Sequence, residues 1–280
     1  MRPFRYVLVD VFTDRPLAGN ALAVFTDARG LDEVRMQALA RELGLSETVF
    51  LLPKQGEGQA RIRIFTPARE LPFAGHPILG AAFVIGTSVQ LARIVLETAA
   101  GPMAVRLERE AARVVFGWMD QPLPRPVPFA QTPALLAALP VERSELPVTA
   151  YDNGIHHVFV ALADPAAVAA LQPDLAALAR LPDVAVSTFA AAGPRWKTRM
   201  FAPGFGVPED PATGSAAGPL AFHLARHGRT TFGSTIEIEQ GAEVGRPSRL
   251  FARVEGSAEQ ASRVEVGGAA VIVARGEFRI

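Results

Sequence analysis

The 280-residue sequence predicts an α+β fold built from two related lobes. Two observations point there. A unit of strand, proline-rich loop, small-residue turn and apolar helix occurs twice, at 61–86 and again from Lys197 through the helix that stops at Gly228. The units align as Phe65-Thr66-Pro67 on Phe201-Ala202-Pro203, 136 residues apart, then as Pro72 on Pro208 and, after a two-residue gap, Gly75-His76 on Gly214-Ser215. Between them, residues 121–133 hold five prolines in thirteen positions, the composition of a stiff, extended connector. The predicted domains are therefore 1–120 and 134–280, joined by 121–133, with the final strand free to cross back to the first lobe. Related lobes usually face each other, so a ligand cleft at their junction is expected.

Each element has its own local signal. Residues 5–12 and 20–25 are β-rich runs joined by the tight turn Asp14–Gly19. Residues 32–43 carry acids at the front, an apolar stripe (Val34, Met36, Leu39, Ala40, Leu43) and Gly44 as a stop, which predicts a helix. A strand within 45–53 begins at Glu47 or Thr48, and others follow at 61–65, 94–97, 103–108 and 113–118. In the second lobe 132–139 predicts a short helix with Pro133 in its first turn. Residues 148–162 read as a turn and strand, Gly154–Phe159 paralleling Gly19–Val24. Ala/Leu-rich helices at 165–171 and 174–181 precede strands at 184–189 and 196–201. Pro203, Gly204, Gly206, Pro208 and Pro211 exclude regular structure from the following loop. A helix then runs to Gly228, and strands at 236–240, 248–254 and 263–273 end the reading.

Composition narrows the function. Lysine plus arginine equals aspartate plus glutamate, 28 each, and no basic stripe interleaved with aromatics occurs, which argues against nucleic acid as a partner. No apolar run approaches the ~18 residues of a spanning helix, and no basic segment followed by an apolar one opens the sequence, so a cytoplasmic protein without a membrane partner is expected. Low net charge does little to discourage self-association. There is no cysteine, which removes disulfides, thiolate metal sites and thiol nucleophiles together. Walker, G-x-G-x-x-G and G-x-S-x-G patterns are absent, so nucleotide and serine-hydrolase readings lack support.

The candidate site residues cluster at the two small-residue turns. Free N–H groups at helix starts after Gly75 and Gly214 favour an anion such as a substrate carboxylate. Thr213 and Ser215 suit either capping of that turn or contact with a ligand. His76, at the other helix mouth, is a helix-start hydrogen-bonding residue or a ligand contact. Glu47, at the start of an apolar strand, is a solvated edge carboxylate or a general base. Glu209 and Asp210 are adjacent acids, and which of them faces a ligand is open at this level. His223 and His227, four apart, could ligate a metal from one helical face, but a cation near the helix C-terminus is the simpler reading. His156 and His157 point to opposite faces of a strand. Lys197 and Arg199 read as a solvated strand face.

Three segments, L-S-E-T-V-F (45–50), F-T-P-A-R-E-L-P-F-A-G-H-P (65–77) and E-D-P-A-T-G-S-A-A-G-P-L (209–220), resemble the signatures of the phenazine biosynthesis PhzF family. The opening V-D-V-F-T-D-R-P-L-A-G-N, R-M-F-A-P, H-L-A-R-H-G and E-V-G-R-P-S fit as well, so the resemblance covers nearly the whole chain. Gly19-Asn20-Ala21 departs from the family's usual Gly-Asn-Pro.

The resemblance implies the diaminopimelate epimerase-like fold, two pseudo-symmetric lobes each with a sheet curled around a central helix. It further implies a homodimer and a reaction needing neither metal nor organic cofactor. That reaction is isomerisation of the small carboxylate trans-2,3-dihydro-3-hydroxyanthranilate by moving a proton from C3 to C1. Carried over by position, Glu47 is the acid–base carboxylate, and His76, Asp210 and Ser215 are the other polar site residues. Gly75 and Gly214, with Thr213 beside them, flank the bound carboxylate. Epimerases of this fold use two thiols; the matching positions are Ala74 and Thr213, which excludes a two-thiol racemase. An isomerase of another small carboxylic acid and a non-catalytic binding member of the fold are the alternatives.

Overall fold

A computed structural model describes residues 2–280, and these fall into two compact units, the residues up to Asp120 with Gly267–Ile280, and Gln121–Val266. In the first unit β1 (Pro3–Val11) lies between β2 (Asn20–Phe25) and the last strand, β18 (Ala270–Arg279), antiparallel to both. Helix α1 (Glu33–Leu43) carries the chain over to β3 (Glu47–Leu52), which pairs parallel to β2. β4 (Ala60–Phe65) is antiparallel to β3 and is met by the two-residue β5 (Glu70–Leu71). Helix α2 (Gly75–Ser88) then leads to β6 (Arg93–Thr98), parallel to β4, and β7 (Gly101–Glu110) and β8 (Arg113–Asp120) follow as antiparallel neighbours.

The second unit repeats that order. β9 (Arg125–Val127) and β10 (Thr149–Asp152) are antiparallel, as are β10 and β11 (His156–Ala161). Helix α3 (Thr132–Ala138) lies between β9 and β10 in sequence. Helices α4 (Pro165–Ala170) and α5 (Leu175–Ala179) carry the chain to β12 (Val184–Ala192), parallel to β11. β13 (Arg195–Ala202) returns antiparallel and is met by the short β14 (Val207–Asp210). Helix α6 (Gly214–Arg226) precedes β15 (Thr235–Gln240), parallel to β13, and β16 (Ser248–Gly256) pairs antiparallel to β15; β17 spans Ala261–Gly268. The succession of antiparallel and parallel pairings around each helix is the same in both units, so the duplication legible in 61–86 and 197–228 extends through each sheet.

Burial explains the two central helices. In α2 only Ile85, Thr87 and Ser88 escape burial, and α6 is buried from Gly214 to Ala225. A helix apolar on all sides belongs inside a fold. Within unit 1 the sheet wraps α2, which touches β1, β2, β3, β6, β7, β8 and β18. Gly80 permits that approach: a Cβ there would lie 2.6 Å from Leu22 Cδ2 and 2.8 Å from Val11 Cγ2. A second core layer seals the other face of each sheet. Phe4, Phe25, Met36, Leu39, Phe50 and Phe65 pack under α1, with Phe25 and Phe50 stacked at 4.8 Å between centroids. Leu135, Val158, Val168, Leu178 and Phe201 do the same under α3–α5. Helix α1 is closed as its sequence predicts: Asp32 accepts from the Arg35 N–H, and Gly44, at φ 62°, donates to the Ala40 carbonyl.

Several expectations need correction. The loop after Phe201 is not free of regular structure. A 3₁₀ turn at Pro203–Phe205 and Gly206 at φ 81° reverse the chain, so that β14 can pair with β13. Residues 148–162 hold two strands, turned at Gly154, whose N–H donates to Asp152 Oδ1. The predicted strand 263–273 is broken at Ala269, whose carbonyl accepts the N–H groups of Phe12 and Thr13. Among the described residues no helix is long and apolar enough to cross a membrane.

Candidate active site

In the first unit, three polar side chains converge beside the start of α2. Glu47 is the first residue of β3, placed by the parallel pairing that sets it beside Leu22 of β2. His76 is the second residue of α2 and is almost wholly buried. Its Nε2 lies 3.4 Å from Glu47 Oε2, and its Nδ1 lies 3.2 Å from Nδ2 of Asn20, the first residue of β2. An amide nitrogen only donates, so Nδ1 accepts and the neutral ring carries its proton on Nε2, the atom nearest Glu47. Burial pushes the His76 pKa down to about 3, which keeps the ring neutral at physiological pH. Glu47 is mostly buried, with 13% of its side chain exposed. This triad can present a carboxylate next to a fixed N–H donor, the elements of proton abstraction with a stationary partner.

The start of α2 has no side-chain cap, its N-cap being Ala74. The N–H groups of Gly75 and His76 thus open the helix without a side chain to close them, and Pro77 has no N–H to offer.

The second unit has its own polar cluster at the start of α6. Asp210 ends β14 and is buried; its Oδ2 accepts from the Thr213 hydroxyl at 2.6 Å. Thr213 is the N-cap, yet its side chain does not cap the helix. Gly214 and Ser215 form the first turn, both buried. Pro219 lies inside the helix and cannot donate to the carbonyl four residues back, that of Ser215. Asn153 fills that position, its Nδ2 donating to Ser215 O at 2.9 Å, while Gln121 Nε2 donates to Gly214 O at 2.8 Å.

The neighbouring acids separate cleanly. Glu209 is held by two hydrogen bonds from Arg199, Nε and Nη2, each 2.8 Å. Arg199 Nη1 also donates to the carbonyls of Val168, Ala169 and Leu171 around the end of α4. Arg199 is buried, not on a solvated strand face as its sequence context suggests; the Glu209 carboxylate offsets the cost of burying its charge and raises its pKa. Glu209 is thereby accounted for structurally, and Asp210 is the acid at the helix start.

The remaining histidines have structural roles. His223 accepts or donates at Nδ1 to the Tyr151 hydroxyl, 3.0 Å away, and stacks on Phe159. Burial pushes its pKa to about 3. His227, at the C-cap of α6, meets the His223 ring edge-on. His157 is buried while His156 is exposed, as opposite strand faces require. Among the described residues no three His, Asp or Glu side chains gather as a metal site would need.

Sequence reasoning passed over Asn20 as a site residue, although it stands at a departure from the resembled pattern, beside Ala21. It also passed over Asn153 and Gln121. For Asn153 the signal was Pro219: a proline inside a helix leaves the carbonyl four residues back, that of Ser215, for some side chain to satisfy.

Comparison with known proteins shows what the chain is similar to. The PhzC-PhzF family, described as phenazine biosynthesis-like protein, matches residues 9–276. The chain is 52% identical to a trans-2,3-dihydro-3-hydroxyanthranilate isomerase of Pseudomonas aeruginosa over 272 residues, 97% of this chain and 98% of that one. A protein of the same description from Pseudomonas chlororaphis is 52% identical over 271 residues, with the same coverage. Among solved structures, a PhzF-family phenazine biosynthesis protein of Bacillus anthracis superposes with a TM-score of 0.86 at 25% identity, covering 100% of both chains. A hydroxyproline epimerase of Agrobacterium vitis shares the fold with a TM-score of 0.70 at 12% identity, over 99% of this chain and 91% of that one.

Proposed function

The chain belongs to the phenazine biosynthesis-like PhzC-PhzF family, and from that premise we propose that it isomerises trans-2,3-dihydro-3-hydroxyanthranilate by an acid–base proton shift. The carboxylate of Glu47 takes the proton from C3; the released electron pair moves through the unsaturated ring, and the same carboxylate returns a proton to C1. No atom is gained or lost, and one carboxylate suffices when both carbons present the same face. The reading rests on a single observation: Glu47 Oε2 sits 3.4 Å from the protonated nitrogen of a histidine that stays neutral. A ring that stays neutral does not compete with Glu47 for the proton. His76 also suits a hydrogen bond to the substrate hydroxyl. In the second unit Asp210 suits a hydrogen bond from an amine and the N–H groups of Gly214 and Ser215 suit a carboxylate, as the N–H of Gly75 does in the first unit. Thr213 completes this group, although its hydroxyl is committed to Asp210.

No metal or organic cofactor is needed in this scheme. A cytoplasmic homodimer is part of the same proposal, checked by light scattering on the purified protein.

Proton NMR of the substrate incubated with the protein in D2O tests the reaction. Deuterium entering C1 with formation of the enol and its amino-ketone tautomer supports it. A substrate unchanged after hours overturns it, in favour of an isomerase for another small acid.

A further inference from the structure

We propose that Gln240 is a positioning residue for Asp210 and acts through the hydroxyl of Thr213; this rests on the role given to Asp210 above. Gln240 ends β15, and its side chain is buried with those of Thr213 and Asp210. Its Nε2 donates to the Asp210 carbonyl at 2.7 Å and to Thr213 Oγ1 at 2.9 Å. Its Oε1 accepts from the Thr213 N–H at 3.2 Å and the Thr198 hydroxyl at 3.3 Å.

Two of these partners leave no choice of orientation. A backbone carbonyl only accepts and a backbone N–H only donates, so the carboxamide cannot be turned over. With Nε2 thus fixed as donor, Thr213 Oγ1 accepts from it. The hydroxyl has one proton, and that proton goes to Asp210 Oδ2, 2.6 Å away. The polarity of the whole chain, Gln240 to Thr213 to Asp210, is therefore set by the backbone. Oδ2 is held as an acceptor, which fixes the rotation of the Asp210 carboxyl group.

Gln240→Glu has the same shape but no proton for the Asp210 carbonyl or for Thr213, and Thr213→Val removes the relay without altering volume. Each is expected to lower kcat/KM by about tenfold or more, the scale of one hydrogen bond to a charged group. Thr213→Ser, which keeps the hydroxyl, is expected to recover activity to within about threefold. The discriminating measurement is Thr213→Val in an Asp210→Asn background, where a residue acting only through Asp210 costs less than about twofold more. Should Thr213→Val cost as much there as in the native protein, or Thr213→Ser be as impaired as Thr213→Val, the inference fails while the role of Asp210 stands. Native turnover in Asp210→Asn itself would remove that role, and the inference with it. If Gln240→Glu does not fold, the Thr213 series decides alone.

Discussion

Asn153 donates its amide proton to the carbonyl of Ser215, the hydrogen bond that Pro219 cannot supply from within the helix. A side chain from the β10–β11 turn thus repairs the helix ladder at the residue that opens it. Asn153→Leu leaves the Ser215 carbonyl buried and unpaired, a cost of about 1–3 kcal/mol. Pro219→Ala restores a backbone N–H at that position. In urea denaturation the double variant Asn153→Leu/Pro219→Ala is expected to be more stable than Asn153→Leu alone. Equal stability of the two would show that Pro219 does not create the need.

Glu47→Gln preserves size and removes the base. Deuterium uptake from D2O into product is expected to fall by about 10²–10⁴-fold, the range of a lost general acid–base. Circular dichroism and the urea midpoint should be retained. A variant with native turnover would assign the proton transfer elsewhere.

The two adjacent acids are expected to differ in kind. Glu209→Gln weakens the pairing with Arg199 and shows itself in stability, with turnover within about threefold of native, while Asp210→Asn lowers turnover by about 10²-fold or more. Arg199→Met strands the Glu209 charge and is expected to cost about 3–5 kcal/mol, much of it recovered when Glu209→Gln is added. Reversal of the two carboxylate variants, with Glu209→Gln the inactive one, would exchange their roles.

Acid sensitivity has an identifiable source. Burial holds His76, His157 and His223 each at about pKa 3, below the unfolded histidine value of 6.5. The unfolded chain therefore takes up protons that the folded one refuses. Stability is full above pH 6.5 and declines as pH falls from there toward 3, by up to about 1.4 kcal/mol per pH unit per histidine. His157 is the one to remove, since neither ring nitrogen has a hydrogen-bond partner in the protein. The stability difference between His157→Leu and the native protein is expected to shift in favour of the variant by about 2 kcal/mol between pH 8 and pH 5. A difference independent of pH would mean that His157 titrates normally when folded.

Much of this was legible in the sequence because it depends on local chemistry. The turns at Gly75 and Gly214, the fully apolar helices behind them and the capped α1 are written in consecutive residues, and Glu47 lies at the strand start where it was expected. What was not legible depends on partners distant in the chain. Arg199 looks like surface until Glu209 and the carbonyls ending α4 are seen around it. Asn20 becomes informative only through His76, 56 residues on. Strands β14 and β5 are too short to announce themselves; pairing with a neighbouring strand creates them. The break at Ala269 arises from the N–H groups of Phe12 and Thr13, which no reading of 263–273 could supply.

The pairing of β1 with β18 ties opposite ends of the polypeptide into one sheet, and this constrains the order of events during synthesis. Residues 121–266 form a continuous run that can fold as soon as it leaves the ribosome. The unit bearing Glu47 and His76 must wait for Ala270–Arg279, leaving one edge of β1 open throughout translation of the intervening chain. Nascent protein should therefore expose that edge to chaperones, and premature termination before residue 270 should yield a folded second unit attached to an incomplete first one.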